Sequence, residues 1–212
     1  MPDDRFDSVF PAAAAIAVDL VRHPEVADRW DAPSALPKMS VGALACHLGR
    51  QPVRAAELLP APTDLVPLDD ADAHYARADW VQTTSPDDPA NDRGTDDTEA
   101  RLGPAALAER SATALRTVRE LLGTGAARDV VGIPWQGWSL RRDDFLLTRM
   151  VEIVVHVDDL SASLGMPTPE FPDAVFAPVA ELLVRLSARR HGQSAVTAGL
   201  TRAERAGPIA AF

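Results

Sequence analysis

Apolar and polar positions alternate along this chain mostly at helical spacing, and one stretch is more continuous than the rest. Residues 144–165 read DFLLTRMVEIVVHVDDLSASLG, with no Gly or Pro before the closing Gly165. Ser139 is the expected start upstream, Gly165 offers a stop and Pro167 prevents continuation. At about 100° per residue, Phe145, Thr148, Arg149, Glu152, His156, Asp159 and Ser163 share one narrow stripe. Leu146, Leu147, Met150, Val151, Ile153, Val154, Val155, Val157 and Leu160 fill most of the remaining circumference. A helix apolar on most sides is expected at the centre of a fold, against several neighbours.

The segments before it follow the same logic. Residues 5–22, rich in Ala with Ile16, Val18, Leu20 and Val21, predict a first helix with Pro11 in its early turns. It ends at His23-Pro24, because the residue before proline avoids the helical region. A short helical turn over 24–31 carries Val26 and Trp30. Ser40 is a good N-cap for a second helix over 41–59, with Val41, Leu44, Ala45, Leu48, Pro52, Ala55 and Leu59 as its apolar face. His47 falls at the edge of that face, where it can look into a groove between helices. Pro52 removes a backbone donor and is expected to bend the helix.

Residues 60–67 read as a linker, 69–81 as a further helix, and the polar, turn-rich 83–98 as a loop. Pro104 opens a long helix to Leu122, with Leu107, Leu115, Val118 and Leu122 inward and Gly123 as its stop. Residues 130–140, VVGIPWQGWSL, have extended character and predict an irregular arm or short hairpin over the bundle mouth. Residues 172–190 form a last helix with Val175, Phe176, Val179, Leu182, Leu183 and Leu186 inward. The tail 192–212 is expected to be weakly structured, with Thr201 capping a short helix. Helices joined by modest loops, with little strand signal, make this an all-α bundle.

Composition narrows the function classes. The chain of 212 residues is 46% hydrophobic and 25% charged, enough to bury a core. A net charge of −10 argues against a sequence-independent grip on nucleic acid and against attraction to anionic membranes. No apolar run approaches the ~20 residues that span a bilayer, and the start MPDDRFD is acidic where a signal peptide is basic. One cysteine, Cys46, excludes an internal disulfide and suits a reducing compartment. These features predict a soluble, cytoplasmic protein without nucleic-acid or membrane partners.

The candidate chemistry lies on the central helix. Glu152 and His156 stand one turn apart, the spacing that lets two side chains reach one point. A carboxylate and an imidazole so placed can grip a divalent metal if a third ligand comes from elsewhere. The competing reading is a solvated polar stripe. Asp159, one turn from His156, can orient its imidazole. Arg149, three residues before Glu152, can pair with that carboxylate or with an anionic substrate. Arg50 and Arg54 follow His47 at i+3 and i+7 and are candidates for the same task, against the alternative of exposed charges worth little. Trp135 and Trp138 are candidates for a pocket floor, or simple packing. Cys46 points about 100° away from His47 on a helix and reads as a small buried residue.

The combination of ALACHLGRQ on the second helix with DDFLLTRMVEIVVHVDDLSASLG after a Trp-containing arm resembles the mycothiol-dependent maleylpyruvate isomerase-like family. That family belongs to the DinB-like four-helix-bundle superfamily. The resemblance covers nearly the first 165 residues, and the tail GLTRAERAGPIAAF is also similar. It implies a bundle over 1–165, with 166–212 as a C-terminal helix and tail packed on it. It also implies a divalent metal, usually zinc, held by His47, Glu152 and His156, with a fourth position open as in catalytic sites. The cosubstrate implied is a low-molecular-weight thiol, mycothiol foremost, and the partner a small electrophile; the chain is expected to be a monomer or homodimer. The expected activity is a thiol S-transferase or isomerase. A metallohydrolase and a non-catalytic metal- or ligand-binding module are the alternatives.

Overall fold

The computed structural model describes residues 4–82 and 94–212. Four helices carry the core, because each has an apolar face wide enough to meet two neighbours: α1 (Phe10–Val21), α3 (Val41–Leu58), α6 (Gly103–Thr124) and α7 (Arg142–Leu164). Helix α3 packs on α6 and α7, and α1 closes the four-membered bundle against all three. Phe10, Leu44, Leu48, Phe145, Leu146, Met150, Ile153 and Leu160 are fully buried between them. Each such side chain contributes roughly 1.5–3 kcal/mol of transfer free energy. Leu107 of α6 lies so close to α3 that a Cβ on Gly49 would stand 2.6 Å from its Cδ1. The fold is all-α, a DinB-like bundle bearing one short hairpin.

Short elements decorate this frame: α2 (Pro24–Asp28), α4 (Ala71–Arg77) and α5 (Gly94–Ala100). Strands β1 (Val130–Ile133) and β2 (Trp138–Arg141) form the antiparallel hairpin expected over 130–140, pairing Val130 with Arg141 and Ile133 with Trp138. Helices α8 (Asp173–His191) and α9 (Gln193–Thr201) follow the bundle, α8 lying against α7, α4 and α1. No helix among the described residues is long and apolar enough to cross a membrane.

Local signals placed several ends well. The Ser40 hydroxyl accepts from the Ala43 amide at 3.1 Å, and Gly165 ends α7 in the left-handed region at φ 68°. Other ends moved for tertiary reasons. Ser139 does not start α7; it sits in β2, donates its amide to Val66 O at 3.1 Å and accepts from the Leu68 amide at 2.9 Å. The residues expected as a free linker are thereby zipped to the hairpin, and α7 begins at Arg142. Its guanidinium bonds Asp7, Asp129 and the Ala127 carbonyl, tying the N-terminal turn to the hairpin. Helix α6 passes through Gly123 and stops at Gly125, φ 69°.

Part of the loop expected over 83–98 is helix: α5 covers its last residues, and 83–93 lie outside the described residues. Phe176, expected inward, is 52% exposed because α8 turns the face with Val175, Val179, Leu182 and Leu186 to the bundle and Phe176 lies off it. The tail is more ordered than expected. Thr201 ends α9 instead of capping a helix, its hydroxyl donating to Thr197 O at 2.6 Å.

Candidate metal centre

Helices α3 and α7 cross so that three side chains point at one place. Glu152 and His156 project from α7 one turn apart, and His47 faces them from α3. His47 Nε2 lies 3.0 Å from Glu152 Oε2, and His156 Nε2 lies 3.5 Å from the same oxygen. The two imidazoles meet edge to face, centroids 4.6 Å apart at 77°. One ligand atom from each residue lies within 4.8 Å of the other two. In a tetrahedral zinc site with bonds near 2.0–2.1 Å, ligand atoms sit about 3.4 Å apart. The spacing is close to that, so the donor set fits a divalent cation with small side-chain adjustments.

Both imidazoles are held from behind. His156 Nδ1 meets Asp159 Oδ2 at 2.9 Å, and His47 Nδ1 meets Asp96 Oδ2 at 3.2 Å. A carboxylate on Nδ1 takes the ring proton there and leaves the Nε2 lone pair for the shared point, the usual support of metal-binding histidines. Three carboxylates around two imidazoles also leave an excess of negative charge that a dication would neutralise.

The protonation equilibria carry the same imprint. Burial pushes the His156 imidazolium down, but hydrogen bonds to Asp159 and Glu152 and their charges outweigh it, raising its pKa to about 9. Burial likewise pushes Glu152 up, yet the hydrogen bonds and charges of His156 and His47 hold it well below the ordinary carboxylate value. The cluster thus holds positive charge between the three residues, as protons or as a cation.

These residues line a cavity of about 540 Å³. Arg54 and Arg149 stand on its wall. Arg149 is 5% exposed and hydrogen-bonds Gln51 Oε1 at 2.8 Å; its guanidinium makes no ion pair with Glu152 among the described residues. Arg54 stacks over Trp135, 4.3 Å from the ring centroid, and burial together with Arg149 and Arg50 lowers its pKa to about 10. Trp135 lines the mouth and is half exposed. Arg50 is instead taken up by Asp96 and Glu99, at 2.6 and 2.9 Å. Trp138, the first residue of β2, is buried and donates its indole N–H to His74 Nδ1 at 3.1 Å. Cys46 is fully buried, and desolvation raises its thiol to about 12, so it is inert.

Two site residues escaped the sequence. Asp96 stands among several acidic residues of a polar stretch, and nothing local distinguishes it from Asp97. His74 lies on α4, is 3% exposed and lines the cavity. Its only signal was a histidine among Ala71, Tyr75 and Ala78 on a helical face.

No curated protein and no solved structure matches the chain. The family model for the mycothiol maleylpyruvate isomerase N-terminal domain matches residues 10–161, a span that holds all three converging side chains and all four bundle helices up to the last turn of α7. The chain belongs to the mycothiol maleylpyruvate isomerase N-terminal domain family.

Proposed function

We propose that this protein is a metal-dependent thiol S-transferase or isomerase that turns a low-molecular-weight thiol, mycothiol foremost, onto a small electrophile. The observation that supports it is the convergence of His47 Nε2, Glu152 Oε2 and His156 Nε2 on a cavity wall, within a chain of this family. His47, Glu152 and His156 would hold a divalent cation, zinc by preference for this donor set, and such a cation would supply the Lewis acidity that lowers the pKa of a thiol bound beside it.

The protein's residues supply the rest. Asp159 and Asp96 keep both Nδ1 protons in place, so the two Nε2 atoms stay available as donors. Arg54 and Arg149 give the cavity a positive wall on which an anionic group of the electrophile can rest, at about 3 Å in a charge-assisted hydrogen bond. Trp135, fixed by the stacked Arg54, offers a flat apolar surface at the mouth. Buried Ile133 and Val151 close the interior and limit water around the sulfur.

The test is a panel of thiols, including mycothiol, offered with a simple electrophile to zinc-loaded and chelator-treated protein. Faster consumption of one thiol by the loaded form is the expected result. If no thiol is consumed faster, the transferase reading fails. Metal uptake without any turnover would then assign the protein to the non-catalytic binding modules, and ester or amide cleavage would assign it to the metallohydrolases.

A further inference from the structure

The two metal-facing histidines are supported in different ways, and the difference has a consequence. Asp159 is three residues from His156 on α7, so that hydrogen bond is local and exists wherever α7 is helical. Asp96 is 49 residues from His47 and arrives on a separate element, α5. That seven-residue helix, GTDDTEA, opens with Gly and carries two Asp and two Thr, a composition with little helical propensity of its own. Its contacts with its neighbours must therefore hold it.

Those contacts concentrate on α3. Arg50 lies three residues after His47, so both side chains leave the same face of α3 and grasp the same carboxylate. His47 Nδ1 takes Asp96 Oδ2 at 3.2 Å, and Arg50 Nη2 takes Oδ1 at 2.6 Å. Arg50 also binds Glu99 of α5 through Nε and Nη2 at 3.2 and 2.9 Å. Arg110 of α6 binds the same Glu99 Oε2 at 2.8 Å. The far end of α5 is pinned by the Trp30 indole, which donates to Ala100 O at 3.0 Å. Asp96 is 4% exposed and lines the same cavity as the triad.

We propose that Asp96 is a positioning residue for His47, and that docking of α5 and binding of the metal are one linked equilibrium; this rests on the metal reading above. With Asp96 in place, the His47 ring is locked with Nε2 toward Glu152. Without it, the ring turns about χ2 and Nδ1 loses its acceptor. Linkage is reciprocal: whatever affinity Asp96 adds to the metal, the metal adds to the docking of α5. Filling the site thus favours the docked α5 that forms one wall of the cavity, and the binding site for the electrophile is more fully populated in the metal-loaded protein.

The experiment measures zinc affinity by competition with a chromophoric chelator, and cobalt spectra, for wild type, Asp96→Asn and Asp159→Asn, alongside hydrogen exchange of the α5 amides. Asp96→Asn is expected to weaken zinc binding by about 10- to 100-fold, the usual loss for an outer partner of a metal-bound histidine. The cobalt bands should shift, and the loss of affinity should exceed what the melting temperature of the metal-free variant loses with the Arg50 ion pair. Metal should slow exchange at Thr98, Glu99 and Ala100 in wild type and not in Asp96→Asn. A purely structural Asp96 would lower metal-free stability and leave the affinity unchanged.

Equal affinity in Asp96→Asn, or α5 exchange indifferent to metal in wild type, overturns the proposal while leaving the metal centre standing. Failure of wild type itself to bind zinc or cobalt overturns the metal reading and this inference with it. If Asp96→Asn does not fold, the exchange measurement on wild type decides alone.

Discussion

His74 provides a quantitative test of how this cavity is built. Its imidazole is 3% exposed and Nδ1 accepts the Trp138 indole N–H at 3.1 Å, so the ring is held as the neutral tautomer with its proton on Nε2. Burial first, and Arg149 second, lower its pKa from 6.5 to about 4. The unfolded chain therefore binds a proton at His74 below pH 6.5 that the folded chain refuses until about pH 4. The stability involved is fully present above pH 6.5 and is lost as pH falls from 6.5 to about 4, below which it changes no further. At 1.36 kcal/mol per pH unit, the loss over that window is about 3 kcal/mol.

His156 in the metal-free protein runs the opposite way. Its pKa is raised to about 9, so its contribution is full below 6.5 and is lost as pH rises to about 9; it overlaps the His74 assay only between pH 6.5 and 7.5, and there it is common to both proteins compared. Urea denaturation at pH 7.5, 6.5, 5.5 and 4.5, with chelator present, compares wild type with His74→Gln. The wild type should lose about 2.5 kcal/mol more than the variant between the extremes, since His74 is the one titrating group by which the two differ. Parallel curves would mean that His74 is charged in the folded protein, and the account of a dry, neutral wall beside Arg149 would be refuted.

Zinc at a hundredfold excess over its Kd should stabilise wild type by about 2.7 kcal/mol, read as a rise in melting temperature, and His156→Ala should abolish the increment. Trp138→Phe strands His74 Nδ1 without its donor and should cost about 1–3 kcal/mol in urea denaturation. Gly49→Ala drives a methyl to 2.6 Å from Leu107 Cδ1 between α3 and α6, and chemical denaturation should show a loss of about 1–3 kcal/mol. On α8, Leu182→Ala should cost about 2–5 kcal/mol, whereas Phe176→Ser should stay within about 0.5 kcal/mol of wild type by the same measurement.

Features set by a few neighbouring residues were legible in the amino-acid order. Helical spacing and caps placed α3 and α7 with their Ser40 and Gly165 ends, and single turns of helix put Glu152 and Asp159 each beside His156. The pairing of His47 with that turn came from the family resemblance, since spacing alone put His47 only at the edge of a face. Tertiary structure decided whatever depended on a partner distant in sequence. It turned the middle of the α7 stripe, from Arg149 to Asp159, onto a cavity instead of out to solvent, because α3 and the hairpin cover that side of α7. It spent Ser139 on a strand, since the backbone groups of 65–68 needed partners, and left Phe176 in water, since α8 meets its neighbours along a narrower face than its apolar pattern allows. It also chose Asp96 over Asp97 as the partner of His47, and that choice has no local signature: two adjacent aspartates have the same propensities, and only the docking of α5 on Arg50 determines which carboxylate points into the site.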